Sequence, residues 1–154
     1  MLCYRNGEKY EGNWREDTAH GKGTLTYAGG DKYVGEWQEG KKHGVGELHY
    51  VNGDVFKGEW RNDFACGHGV LSYANGDAYN GQWLNDRRHG QGKFTSAQDG
   101  KAYEGQWRDG MRHGTGVLSL KDGDALRAQW ENGQLMQCLD FQFTKDSPWL
   151  DPKY

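Results

Sequence analysis

Six tryptophans constrain this chain more than any other feature. Trp14, Trp37, Trp60, Trp83, Trp107 and Trp130 follow one another at intervals of 23, 23, 23, 24 and 23 residues, a regularity that marks a tandem repeat. Five of them end an aromatic-x-Gly-x-Trp motif: Tyr10 to Trp14, Tyr33 to Trp37, Phe56 to Trp60, Tyr79 to Trp83 and Tyr103 to Trp107. The sixth copy decays to Leu126, Ala128 and Trp130. A second half follows each tryptophan, first as His20-Gly21-Lys22-Gly23 with Leu25 and Tyr27, closing on Gly30-Asp31. His43-Gly44, His89-Gly90 and His113-Gly114 are its equivalents. The third copy instead reads Cys66-Gly67-His68-Gly69, and the fourth carries one extra residue between Thr95 and Asp99.

Inside a unit the apolar period is two. Tyr10, Gly12 and Trp14 alternate with Glu11, Asn13 and Arg15, while Gly23, Leu25 and Tyr27 alternate with Lys22, Thr24 and Thr26, which is strand patterning. The connector 16–21 and the Gly-Asp closure stand where the chain must reverse, and their glycines and aspartates supply the dihedrals that turns need. Each repeat therefore predicts one β-hairpin. A lone hairpin cannot bury an aromatic face, so the units are expected to stack edge to edge. The expected fold is all-β, an elongated single-layer antiparallel meander in which each hairpin adds about 10 Å. A glycine between tyrosine and tryptophan leaves room for a neighbouring ring to lie across the strand. The expected organisation is a partial repeat over 1–9, an array over 10–133 and a C-terminal cap over 134–154. Its units run 10–32, 33–55, 56–78, 79–102 and 103–125, with a degenerate 126–133. The mid-repeat start reads as that of a piece of a longer array. The tail, with Pro148, Trp149 and Pro152, reads as an edge-protecting terminator.

Composition narrows the class. Among 154 residues there are 25 glycines, yet aromatic residues make up 14 %, enough large side chains to order a polar, glycine-rich chain around a thin core. No stretch approaches the roughly 20 apolar residues of a membrane span, and the N-terminus lacks the pattern of a secretion signal. Cysteines at 3, 66 and 138 suit reduced thiols, so a cytoplasmic location is expected. The net charge of −3, with both signs mixed, exerts no general pull toward nucleic acid.

The pattern Tyr-x-Gly-x-Trp, then His-Gly-x-Gly, then Gly-Asp at a 23-residue period resembles the MORN (membrane occupation and recognition nexus) repeat. The resemblance covers nearly the whole chain. Arrays of this kind occur in junction-forming proteins, lipid-kinase regulators, a histone methyltransferase and protist cytoskeletal scaffolds, so family does not settle function. Repeats with a short tail look most like the short MORN scaffolds of flagellar and protist cytoskeletons. That likeness implies a homodimeric, cytosolic, non-enzymatic scaffold at the membrane periphery, with cytoskeletal or membrane-associated protein partners and no required cofactor. Two alternatives are a phospholipid-headgroup-binding module and the accessory region of a larger enzyme.

Four groups of residues are candidates for chemistry. His20, His43, His89 and His113 recur once per repeat, unlike the singular constellation of an active site, and are expected to be structural turn residues. Cys66 and His68 would share one side of an extended segment, where two copies in a dimer could complete a Cys2His2 zinc site. The alternatives are a free thiol beside a surface histidine, or a disulfide between symmetry-related Cys66 residues. Lys41, Lys42, Arg87, Arg88 and Arg112 form a patchy basic edge suited to anionic headgroups or to plain solvation, opposite an acidic edge of Asp31, Asp54, Asp77, Asp99 and Asp124. Tyr10, Trp14, Tyr33, Trp37, Phe56, Trp60, Tyr79, Trp83, Tyr103 and Trp107 line an aromatic face. That face is expected either to stay open as a groove for a helix or peptide, or to bury itself by packing between hairpins, with Trp149 filling its last part.

Overall fold

A computed structural model describes residues 2–145 and Ser147 of the chain. Thirteen antiparallel strands form one open sheet whose order is the order of the sequence, and the described residues contain no helix. β1 (Leu2–Cys3) pairs with β2 (Lys9–Arg15). The hairpins that follow are β2 with β3 (Thr18–Thr26), β4 (Lys32–Gln38) with β5 (Lys41–His49), and β6 (Val55–Arg61) with β7 (Phe64–Ser72). Then come β8 (Ala78–Leu84), β9 (Arg87–Thr95), β10 (Ala102–Arg108) with β11 (Met111–Ser119), and β12 (Ala125–Glu131) with β13 (Gln134–Gln142). The strands group into two compact units, Met1–Ala74 with Trp83–Asp86, and Asn75–Gln82 with Arg87–Tyr154.

The turn within each repeat is tighter than the sequence suggests. Arg15 pairs directly with Thr18, and the two residues between them, Glu16 and Asp17, have φ of 48° and 59°. Two consecutive positive φ values define a type I′ turn, whose twist matches that of the flanking strands. Asn62-Asp63 repeats it at 50° and 74°. The histidines therefore do not sit in turns. His20, His43, His89 and His113 lie inside β3, β5, β9 and β11, each just before a glycine, and at His20, His43 and His113 the register with the preceding strand slips there. A side chain from the preceding strand covers this stretch: Gln82 Oε1 accepts the Gln91 N–H at 2.7 Å and Gln106 Oε1 accepts the Thr115 N–H at 3.2 Å.

A row of glycines crosses the sheet. In the first unit Gly12 stands opposite Gly23, Gly23 opposite Gly35, Gly35 opposite Gly46, Gly46 opposite Gly58 and Gly58 opposite Gly69. In the second, Gly92 pairs with Gly105, Gly105 with Gly116 and Gly116 with Ala128. Tyrosine rings lie in this trough: a Cβ at Gly46 would stand 2.5 Å from Tyr33 Cζ. Each tyrosine hydroxyl then donates to a carbonyl three residues on, Tyr33 to Glu36 and Tyr103 to Gln106, both at 3.0 Å. Burial pushes the Tyr33 phenol well above its ordinary value and raises Tyr103 to about 12.

The acidic edge is a set of stitches between hairpins. Asp31 Oδ1 accepts the Val51 N–H at 2.9 Å, and Asp54 accepts that of Ala74 at 2.9 Å. In the second unit Asp77 accepts the Ala97 N–H at 2.8 Å, and the buried Asp124 accepts the Thr144 N–H at 2.8 Å together with the Ser147 hydroxyl. Those donors hold the Asp124 carboxyl below its ordinary range. Asp99 departs from the pattern. Its longer loop turns the carboxylate back on Lys101, whose Nζ is 2.9 Å away, and this holds Asp99 down at about 2.

Candidate interaction surface

The aromatic face closes on itself. Trp37, Trp60, Trp83 and Trp107 lie over the preceding hairpin, and their indole N–H groups reach carbonyls of the glycine row, whereas the buried indole N–H of Trp130 has no hydrogen-bond partner among the described residues. Trp37 donates to Gly23 at 3.1 Å, Trp60 to Gly46 at 3.2 Å, Trp83 to Gly69 at 3.1 Å and Trp107 to Gly92 at 2.9 Å. Edge-to-face contacts then run along the face: Tyr33 meets Trp37 at 5.1 Å and Trp60 at 5.3 Å, Phe56 meets Trp60 at 5.2 Å and Trp83 at 4.9 Å. In the second unit Tyr79 meets Trp107 at 5.2 Å, and Tyr103 meets Trp107 at 5.3 Å and Trp130 at 5.5 Å. Tyr10, Tyr33, Trp37, Phe56, Trp60, Tyr79, Trp83, Tyr103 and Trp107 are all buried, so self-packing prevails over an open aromatic groove. Trp14 is the exception at 42 % exposed.

The basic edge divides in two. Lys42, Arg88 and Arg112 fold back over the rings instead of standing in solvent. Lys42 Nζ lies 4.4 Å from the Trp60 centroid and 5.7 Å from that of Tyr33. The Arg88 guanidinium is 4.5 Å from Trp107 and 5.6 Å from Tyr79, and Arg112 is 4.1 Å from Trp130 and 5.6 Å from Tyr103. Arg88 Nη2 also donates to Gly110 O at 2.8 Å, and Arg112 Nη2 to Gly133 O at 3.3 Å. Partial burial lowers the Lys42 pKa while Asp63 and Asp86 oppose the change. Lys41 and Arg87 remain exposed, with Arg87 3.8 Å from the Asp109 carboxylate.

Cys66 and His68 occupy the slip in β7. Gly67 between them has φ of 64°, so the segment is not the regular extended strand on which their shared side was argued. Cys66 is half-buried opposite Glu59, while His68 is exposed and donates its backbone N–H to Glu59 Oε1 at 3.0 Å. Among the described residues no three His, Cys, Asp or Glu side chains gather to hold a metal ion, so zinc here requires a second copy of the chain. The Nδ1 atoms of His89 and His113 are buried without a hydrogen-bond partner among the described residues.

Two features escaped the sequence reading. All nine residues of β13 are exposed, including Leu135, Met136, Leu139 and Phe141. Pro148, Trp149 and Pro152, which carried the expected cap, lie outside the described residues. The second feature is a cavity of about 430 Å³ in the second unit, lined among others by Arg88, Ser96, Lys101 and Arg112. Its signal in the sequence is the serine that interrupts Tyr4, Tyr27, Tyr50 and Tyr73.

One comparison with known proteins, that with a family model, agrees with the repeat boundaries. The sequence model of the MORN repeat matches residues 10–32, 33–55, 56–78, 79–101 and 103–125. The chain belongs to the MORN repeat family. No curated protein matches it. Among solved structures the MORN array is similar to the SAS-4 (dCPAP) TCP domain of Drosophila melanogaster, in complex with a proline-rich motif of Ana2 (dSTIL). Identity there is 14 %, over 94 % of this chain and 97 % of that chain, with a TM-score of 0.26. A MORN array is a repeat module for protein interaction or membrane binding, of a generally non-catalytic kind. No helix among the described residues is long and apolar enough to cross a membrane.

Proposed function

We propose that this MORN array is a non-enzymatic scaffold in the cytoplasm, a homodimer that links cytoskeletal and membrane-associated protein partners. One observation supports the protein-binding reading over headgroup binding. Of the five cations in the basic row, Lys42, Arg88 and Arg112 lie against rings of their own array. The two left in solvent, Lys41 and Arg87, supply about 1 kcal/mol each near an anionic surface, too little to hold the chain there at physiological salt. The exposed apolar residues of β13 fit a β-edge contact for dimer or partner. Neither a metal nor a cofactor enters this reading.

Co-sedimentation with phosphatidylserine-containing vesicles across a salt series tests it. The expected result is no salt-dependent pelleting. Pelleting that falls with salt and disappears in a Lys41→Ala/Arg87→Ala variant would overturn the protein-scaffold reading. A light-scattering mass equal to one chain would remove the dimer.

A further inference from the structure

The cavity in the second unit marks the place of a missing ring. Immediately after β1, β3 and β5, the first residue of the turn is a tyrosine whose N–H bonds back across that turn. Tyr4 donates to Glu8 O at 2.8 Å, Tyr27 to Asp31 O at 2.8 Å and Tyr50 to Asp54 O at 2.9 Å. Ser96 makes the same bond to Lys101 O at 2.8 Å, so it holds the tyrosine's station with a side chain that fills almost none of it. The cation above registers the loss. Lys42 has three rings around it, Trp60, Tyr33 and, at 5.8 Å, Tyr27. Arg112 stands at the equivalent position over Trp130 and Tyr103, and where the third ring belongs it faces the cavity beside Ser96.

The lining residues define what fits. Phe94, Leu118 and Tyr103 give an apolar lining, and the volume of about 430 Å³ exceeds one ring and falls within the range of ligand pockets. Of the charged lining residues Lys101 is paired with Asp99, whereas neither Arg88 nor Arg112 has a carboxylate partner among the described residues. An aromatic ring would restore the packing seen in the first unit, and an acid beside it would answer the two guanidiniums with charge-assisted hydrogen bonds. We infer that this cavity receives an aromatic side chain from a partner polypeptide, with an acidic neighbour of that residue held by Arg88 and Arg112. The inference rests on the protein-interaction reading and names the chemistry of the partner.

The test titrates the full chain with three blocked tripeptides, acetyl-Asp-Tyr-Asp-amide, acetyl-Asn-Tyr-Asn-amide and acetyl-Asp-Leu-Asp-amide, following the indole N–H resonances. The acidic tyrosine peptide is expected to shift Trp107 and Trp130, leave Trp37 and Trp60 in place, and bind about tenfold more tightly than either control. Ser96→Tyr fills the station from within and should abolish those shifts while Trp37 and Trp60 keep their positions. Arg112→Gln, which leaves the cavity open, should weaken binding about tenfold. Equal binding of the leucine peptide, uniform shifts of all indoles, or no shift at about 5 mM peptide would overturn the pocket. Absence of peptide shifts alone removes this pocket only; salt-sensitive vesicle pelleting would remove the protein-interaction reading beneath it.

Discussion

Alanine at Gly46 is expected to lower the unfolding free energy by about 3 kcal/mol, the upper part of the range for overpacking a filled site. The added methyl has nowhere to go. It would strike the Oη, Cζ and Cε2 atoms of Tyr33, a side chain at 0 % exposure whose hydroxyl is tied to Glu36 O. Moving that ring also disturbs Trp60, which packs on Tyr33 and donates to the Gly46 carbonyl. Gly29→Ala is the control. Nothing lies within 4 Å of a Cβ there and φ is not positive, so the change should stay within about 0.5 kcal/mol. Urea unfolding midpoints of the two variants check the contrast. A cost below about 1 kcal/mol at Gly46 would mean that the tyrosine trough is loosely held.

Trp60→Ala should cost about 4 kcal/mol, the range of large-to-small changes in a core. Trp60 is 4 % exposed, touches Tyr33 and Phe56 edge to face, carries Lys42 on its face and satisfies a glycine carbonyl. The same change at Trp14 should cost about 1 kcal/mol, since that ring is exposed and its ring contact is Tyr10. Thermal or urea unfolding of both variants separates them. Equal costs would contradict the view that a tryptophan is stabilised by the hairpin before it. Because each hairpin contacts mainly its neighbours, the loss at position 60 should fall chiefly on the adjoining repeats.

The arrangement of hairpins was legible in the sequence because a period of two and a period of 23 leave few other solutions. The purpose of Gly12 and its equivalents was legible too, since a glycine between two aromatics suggests a ring lying across a strand. What alternation could not reveal was how far a ring reaches. Trp37 bonds the carbonyl of Gly23, fourteen residues back, and that reach turns an open face into a closed one. Long cations misled for a related reason. Lys42 and Lys41 are adjacent and look alike as charges, but strand alternation sends one toward the rings and leaves the other in solvent. His43-Gly44 read as a turn because glycine after histidine suggests reversal; the two-residue I′ turn had already reversed the chain, and the glycine serves a register slip. The pocket was visible only as a serine after Tyr4, Tyr27, Tyr50 and Tyr73, where the next station keeps the bulkier Leu120, and it acquires meaning once Lys42 shows what the tyrosine does.

Hydrogen exchange of the indole N–H groups tests the central claim most directly, namely that the recurring aromatic residues hold the MORN array together by packing between hairpins and do not form an open groove. The account predicts slow exchange at Trp37, Trp60, Trp83 and Trp107, whose N–H groups are bonded to glycine carbonyls, and fast exchange at the exposed Trp14. Exchange of all five indoles at the rate of Trp14 would contradict it and return the aromatic face to the surface as an open groove.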